Sequence, residues 1–144
     1  MNRRTSLALF LAALAAAAGC QRSTGLPGPS GTVTGKATYK DRPVPDGSIV
    51  VMVHKDSGII ATGGTDASGN FTMLMRDAPD ILVGDYTVNL NPPGKPDENI
   101  NVLTIKNCPE AWKLVPKAYW FQTTSPETYT VKEGANAYEF VLHD

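Results

Sequence analysis

The chain has little net charge, few histidines and cysteines, and no apolar run long enough to cross a membrane. Its 144 residues include 13 basic and 14 acidic side chains, so the formal charge is -1 and no nucleic-acid footprint is visible. His54 and His143 have no cysteine or carboxylate at metal-ligand spacing, so a metal site is not expected. Because a Gly-x-Ser-x-Gly elbow and a glycine-rich phosphate loop are also missing, we expect no cofactor and no enzymatic activity.

The N-terminus has the pattern of a targeting segment. Arg3 and Arg4 precede an apolar stretch from Leu7 to Ala18, which is shorter than the roughly 20 residues that span a bilayer. Small residues then lead directly to Cys20. This ending resembles the bacterial lipobox, which implies removal of residues 1–19 and acylation of Cys20, with palmitate among the possible acyl chains. The alternative is an ordinary signal peptide cut near Gly19, with Cys20 incidental.

Acylation of Cys20 would place the protein in the cell envelope, anchored to a membrane. Each buried CH₂ of an acyl chain contributes about 0.8 kcal/mol, so several chains on one residue anchor stably. Gln21 stands where an aspartate would retain the protein at the inner membrane, which favours the outer membrane, on its periplasmic or surface face. Residues 20–31 are rich in Gly, Pro and Ser and are predicted to form a flexible tether before a domain at 32–144.

The rest of the chain has the period-two alternation of an all-β protein. The stretch from Ile59 to Met75 predicts two strands joined by a tight turn, with Asp66 accepting backbone hydrogen bonds and Gly69 at positive φ. Further strands are predicted at 32–40, 48–54, 86–90, 128–131 and 138–142. The spacing of Asp66, Ser68 and Asn70 also matches part of a calcium loop, but the closing bidentate Glu is missing.

Three short segments resemble carboxypeptidase-regulatory-like, transthyretin-like domains. They are Gly35-x-Ala-x-Tyr39 with Pro43-Val44-x-x-Gly47, Thr65-Asp66-x-x-Gly69-x-Phe71, and Gly84-x-Tyr86-x-Val88. The resemblance covers about residues 33–142 and implies a seven-strand antiparallel β-sandwich. It also implies a binding or spacing module, since such domains occur alone behind a lipobox in small bacterial lipoproteins.

The segment between Asp97 and Phe121 is the least regular part of the sequence. Ile100 to Ile105 fits a short strand or a helical turn, and the pattern at 107–114 favours one short helix. If Cys20 is acylated, Cys108 is the remaining cysteine, and it fits a buried position, an intermolecular disulfide or a nucleophile.

Aromatic side chains cluster after this predicted helix. Trp112, Tyr119 and Trp120 could stack on sugar rings or pack as a lid over one end of the sandwich. Strand-like alternation would put Tyr119 and Phe121 on one face, which makes Trp120 the best candidate for a surface contact.

Three functions therefore follow from the sequence. The favoured one is a non-catalytic envelope lipoprotein whose sandwich is a structural or protein-binding module. A glycan-binding module that uses Trp112, Tyr119 and Trp120 is the alternative. A hydrolase of the 5-hydroxyisourate type is remote, because the C-terminal Tyr-Arg-Gly-Ser-type tail of those enzymes is absent.

Overall fold

The computed structural model describes residues 25–93 and 110–144. Within these ranges the chain forms nine β-strands and two short 3-10 helices, and the predicted all-β class is confirmed. The strands are β1 (Ser30–Tyr39), β2 (Arg42–Pro43), β3 (Ile49–His54), β4 (Ile60–Gly64), β5 (Asn70–Thr72), β6 (Ile81–Leu82), β7 (Gly84–Asn91), β8 (Thr128–Val131) and β9 (Gly134–Leu142). The helices are Glu110–Leu114 and Lys117–Trp120.

Strand β1 is the centre of the first sheet. Along one edge it pairs antiparallel with β2, β5 and β6 in succession, and along the other edge it pairs with β9. The second sheet has the order β4-β3-β7-β8 and is antiparallel throughout. Seven of the described strands have three residues or more, whereas β2 and β6 are two-residue additions.

The expectation of an entirely antiparallel sandwich is wrong at the β1–β9 pair. These strands run parallel over nine residue pairs, from Gly31 opposite Gly134 to Tyr39 opposite Leu142. The chain reverses between β8 and β9 and changes sheet at the same point, so β9 arrives beside β1 pointing the same way. We call the end where β1 and β9 begin the tether end, and the end where they finish the groove end.

The Ile59–Met75 stretch is a crossing between the sheets rather than a hairpin within one sheet. Strand β4 belongs to the second sheet and β5 to the first, and a single bridge between Thr62 and Leu74 connects them. The turn between them is as predicted. Asp66 Oδ1 accepts the backbone N–H groups of Ser68 and Asn70, each at 2.9 Å, and Gly69 has a φ of 81°.

The core lies between the two sheets and follows the predicted alternation. On the way out of the turn the odd-numbered residues are buried and the even-numbered ones are exposed, because successive strand side chains point to opposite faces. Near the tether end of the core, the Tyr86 hydroxyl donates a hydrogen bond to the backbone carbonyl of Leu82 at 2.6 Å. The largest fully buried side chains are Trp112, Tyr86, Phe140, Met52, Met73, Met75, Ile81 and Leu90.

The chain is already attached to the sandwich before the predicted start of the domain at residue 32. Strand β1 begins at Ser30, and Leu26 packs against the core. The carbonyl of Gly25 accepts a hydrogen bond from Arg76 at 2.8 Å, and the carbonyl of Pro29 accepts one from the Val83 N–H at 2.9 Å. Residues 25–31, predicted as part of the tether, therefore lie along the tether end of the domain.

Several predictions fall outside the described residues. They concern the targeting segment 1–19, the acylation site Cys20, the Ile100–Ile105 segment, Cys108 and the start of the helix predicted at 107–114. In residues 25–93 and 110–144, no helix has the length and apolar character needed to cross a membrane.

Candidate binding groove at the end of the sandwich

A groove of about 780 Å³ opens at the groove end of the sandwich. One wall is the hairpin of β1 and β2 with the loop that follows, and the other is the first 3-10 helix. Its described lining residues are Tyr39, Lys40, Arg42, Pro43, Val44, Pro45, Ala111, Lys113, Leu114 and Val115. Clefts of about 300–1,000 Å³ hold ligands the size of a small molecule or a short peptide segment, so this groove is large enough to bind one.

The first wall is built by a tight turn and two prolines. Lys40 and Asp41 both have positive φ, at 50° and 59°, which is the backbone of a two-residue type I′ turn between Tyr39 and Arg42. The Val44 N–H then donates to the Ala37 carbonyl at 3.2 Å, and Val44 is buried. Because prolines restrict the backbone on both sides of Val44, this wall has little freedom to rearrange.

The second wall is the 3-10 helix Glu110–Leu114, which confirms a helical segment in the described part of the range predicted at 107–114. Trp112 points inward and is fully buried, so its neighbours Ala111 and Lys113 face outward. Leu114 is 73% exposed and borders the groove. Single exposed apolar side chains are common, but Leu114 adjoins the apolar lining residues Pro43 and Val115, and a contiguous apolar patch is a feature of surfaces that bind a partner.

The groove has a positive rim. Its described lining includes Lys40, Arg42 and Lys113 and no carboxylate. Just outside it, Lys40 pairs with Asp144 at 3.0 Å and Lys113 pairs with Glu110. Arg42 is exposed and forms no ion pair within the described ranges, so its guanidinium is free to bind an anion.

Asp144 holds the Lys40–Asp41 turn beside the groove through its contacts with Tyr39 and Lys40. The Asp144 carboxylate accepts a hydrogen bond from the Tyr39 hydroxyl, and the Lys40 ammonium lies 4.9 Å from the centre of the Tyr39 ring. Hydrogen bonds from Tyr39 and Lys40 lower the pKa of Asp144 below its usual value. The same contacts with Tyr39 and Asp144 raise the pKa of Lys40, so both groups stay charged at neutral pH.

The three aromatic residues predicted as a ligand contact lie behind the groove, in the core. Trp112, Tyr119 and Trp120 are 0%, 3% and 4% exposed, so the predicted surface position of Trp120 is wrong. The prediction assumed strand alternation, whereas residues 117–120 form a 3-10 helix whose adjacent side chains can both turn inward. Their burial agrees with the alternative of a lid over the sandwich.

Specific contacts hold this lid in place. The Trp120 indole N–H donates to the Val115 carbonyl at 3.2 Å, and the Tyr119 hydroxyl accepts the His143 N–H at 3.0 Å. The rings of Trp112 and Trp120 meet edge to face with centroids 5.7 Å apart. The Trp112 indole N–H is buried without a hydrogen-bond partner among the described residues.

The His54 side chain and the Asp66 turn make structural contacts, whereas the His143 side chain is exposed. His54 Nδ1 accepts the Ser57 N–H at 3.1 Å, which places the proton on Nε2, 3.2 Å from the Val83 carbonyl. Hydrogen bonds from the backbone and side chain of Asn70 lower the pKa of Asp66 and use both carboxylate oxygens. In the described part of the chain, no three His, Cys, Asp or Glu residues are arranged to hold a metal ion.

Sequence reasoning missed the groove, although part of its signal is visible. The prolines of Arg42-Pro43-Val44-Pro45 indicate a loop, and the pattern at 107–114 makes Leu114 part of a short helix. Nothing in the local pattern shows that these two segments face each other. Comparisons with protein-family models, with curated proteins and with solved structures gave no match to this chain.

Proposed function

We propose that this protein is a cell-envelope lipoprotein whose β-sandwich is a non-catalytic protein-binding module. In this proposal residues 1–19 are removed, Cys20 is acylated, and the sandwich is of the transthyretin-like, carboxypeptidase-regulatory-like type. The groove bordered by Arg42 and Leu114 is the contact surface. The two-sheet architecture and the motifs around Gly35, Asp66 and Gly84 support this fold assignment.

The observation that carries the proposal is that the groove lies at the opposite end of β1 from the point where the tether joins the domain. Strands β1 and β9 both begin at the end where the tether joins the domain and finish at the groove. Strand β1 extends over ten residues, and a strand rises about 3.3 Å per residue, so the two ends are about 30 Å apart. A chain anchored through its N-terminus thus carries the groove on the side away from the membrane.

The tether is short enough to keep the tether end of the domain near the anchor. Five residue steps separate Cys20 from Gly25, and an extended chain covers at most about 3.6 Å per step, so the tether end stays within about 18 Å of the anchor. The Arg76 contact to Gly25 and the Val83 contact to Pro29 hold residues 25 and 29 against the domain. The groove then lies where an envelope partner can reach it, beyond the lipid headgroups.

Acylation is tested by growing cells that express the full chain with labelled palmitate. Wild type and the Cys108→Ala variant are expected to incorporate label and to fractionate with membranes, whereas Cys20→Ala incorporates none. The Cys108→Ala variant is the matched control, because it removes the other cysteine of the chain. Label that persists in Cys20→Ala, or membrane fractionation that does not depend on Cys20, would overturn the proposal.

A further inference from the structure

We infer that the groove binds an acidic peptide segment of its partner, with an apolar side chain of that segment seated between Val44 and Leu114. This inference rests on the proposed function, because it names the chemistry of the partner for the same groove. It is carried by three features of the described lining and its surroundings: an apolar floor, a rim of one charge sign and the burial of both tryptophans behind the groove.

The floor and upper wall are aliphatic. Pro43, Val44 and Pro45 lie on one side, and Ala111, Leu114 and Val115 on the other. Removing apolar surface from water is favourable, so a leucine or valine side chain placed here gains affinity that a polar side chain would not. The exposed Leu114 gains most, since it is 73% accessible when the groove is empty.

The rim selects for negative charge. Lys40 and Lys113 already have carboxylate neighbours, whereas Arg42 forms no ion pair within the described residues. A guanidinium presents a planar fork of donors that fits a carboxylate with two hydrogen bonds. Arg42 is therefore the charge anchor, because the charges of Lys40 and Lys113 are already balanced by Asp144 and Glu110.

The residues around the groove favour a protein segment over a glycan or an anionic lipid as the ligand. Trp112 and Trp120 are buried, so the groove offers no tryptophan face for sugar stacking; Tyr39 is the one aromatic ring in its described lining, and the Lys40 ammonium lies 4.9 Å from the centre of that ring. Anionic lipid headgroups meet the tether end, not the groove end. The groove is open to solvent and lies between two chain segments, so it can admit a segment of another protein.

A peptide-display selection on the full acylated chain in detergent tests this inference. Random ten-residue peptides are selected on wild type and on Arg42→Glu, with Lys55→Glu at the tether end as a control of equal charge change. Wild type and Lys55→Glu are expected to enrich Asp and Glu flanking a Leu, Ile or Val. Arg42→Glu is expected to lose these peptides and to shift the enrichment toward Lys and Arg.

The apolar contact is tested with the peptides selected on wild type. Leu114→Asp is expected to weaken their binding at least tenfold in fluorescence polarisation. Ile60→Asp is the matched control, because Ile60 is also an exposed aliphatic residue but lies on β4, away from the groove, and it is expected to change binding less than twofold.

Three results would overturn the inference. They are selected peptides without acidic enrichment, an enrichment that Arg42→Glu leaves unchanged, and binding to a glycan array that competes with the selected peptides. Each of these results leaves palmitate labelling of Cys20 unaffected, so the chemistry of the groove and the anchoring of the chain are tested independently.

Discussion

The Tyr86 hydroxyl is the most sharply testable polar contact in the core. It is fully buried and donates to the Leu82 carbonyl at 2.6 Å, four residues back along the chain. This contact joins the start of β7 to β6, the strand that closes the tether end of the first sheet. Tyr86→Phe keeps the ring and removes only the donor, so the Leu82 carbonyl loses this partner.

The substitution leaves a buried carbonyl without its hydrogen-bond donor, and this sets the expected loss of stability. Leaving such a group unsatisfied costs about 1–3 kcal/mol, so the free energy of unfolding of Tyr86→Phe should fall by that amount in urea denaturation. Tyr129→Phe is the matched control, since its hydroxyl makes a longer 3.3 Å bond to Ala137 and is partly exposed. We expect the control to cost less than about 0.5 kcal/mol.

The same residue predicts how stability changes in alkali. Burial raises the pKa of Tyr86 to about 12 from its ordinary 10, so the folded state keeps a proton that the unfolded state loses. The resulting stability is fully present below pH 10 and is lost as pH rises toward 12, by about 3 kcal/mol for a shift of this size. Burial also raises the pKa of Tyr138, which steepens the loss.

Two measurements would refute this reasoning. Tyr86→Phe could match wild type within error at pH 7, which would mean that the Leu82 carbonyl does not depend on the hydroxyl. Alternatively, the difference in unfolding free energy between the two proteins could stay constant from pH 9 to pH 12. The account requires the wild-type advantage to shrink across that range.

Further predictions concern backbone positions and the turn. Asp41→Gly should raise stability by about 1 kcal/mol in urea denaturation, because Asp41 has a φ of 59° and glycine adopts that backbone without strain; a loss would contradict the turn geometry. Gly35→Ala should lower the free energy of unfolding by about 1–3 kcal/mol, because its Cβ would lie 2.2 Å from the Tyr138 carbonyl oxygen and 2.5 Å from the Phe71 ring; Gly64→Ala has open space and should be neutral. Asp66→Ala should destabilise at pH 7. The hydrogen bonds that lower the pKa of Asp66 contribute stability above its unfolded value of 3.8, so the difference should disappear as pH falls through the folded pKa, and a gap that persists in acid would refute this role.

Local features of the fold could be predicted from the sequence. The Asp66 turn, Gly69 at positive φ and the alternation of Tyr138, Phe140 and Leu142 depend on neighbours only a few residues away. Such features have physical causes in the side chain and the backbone at that position, so a single sequence contains them.

Long-range features could not be predicted in the same way. The pairing of Gly31 with Gly134 joins residues more than a hundred positions apart, and no local pattern distinguishes it from an antiparallel alternative. Strand alternation predicts a surface position for Trp120, whereas the 3-10 helix over residues 117–120 turns its side chain into the core. The groove belongs with the long-range features, because its two walls, residues 39–45 and 111–115, are distant in the sequence and meet only in the folded chain.

The proposed anchoring at Cys20 would hold the groove on the side of the domain away from the membrane. This orientation is tested most directly by fluorescence quenching in proteoliposomes that contain the acylated, Cys108→Ala chain and lipids with quenching headgroups. A fluorophore is attached through Ser57→Cys at the tether end or through Asp41→Cys beside the groove. The account predicts strong quenching at position 57 and little at position 41. Equal quenching at the two positions, or stronger quenching at position 41, would contradict it.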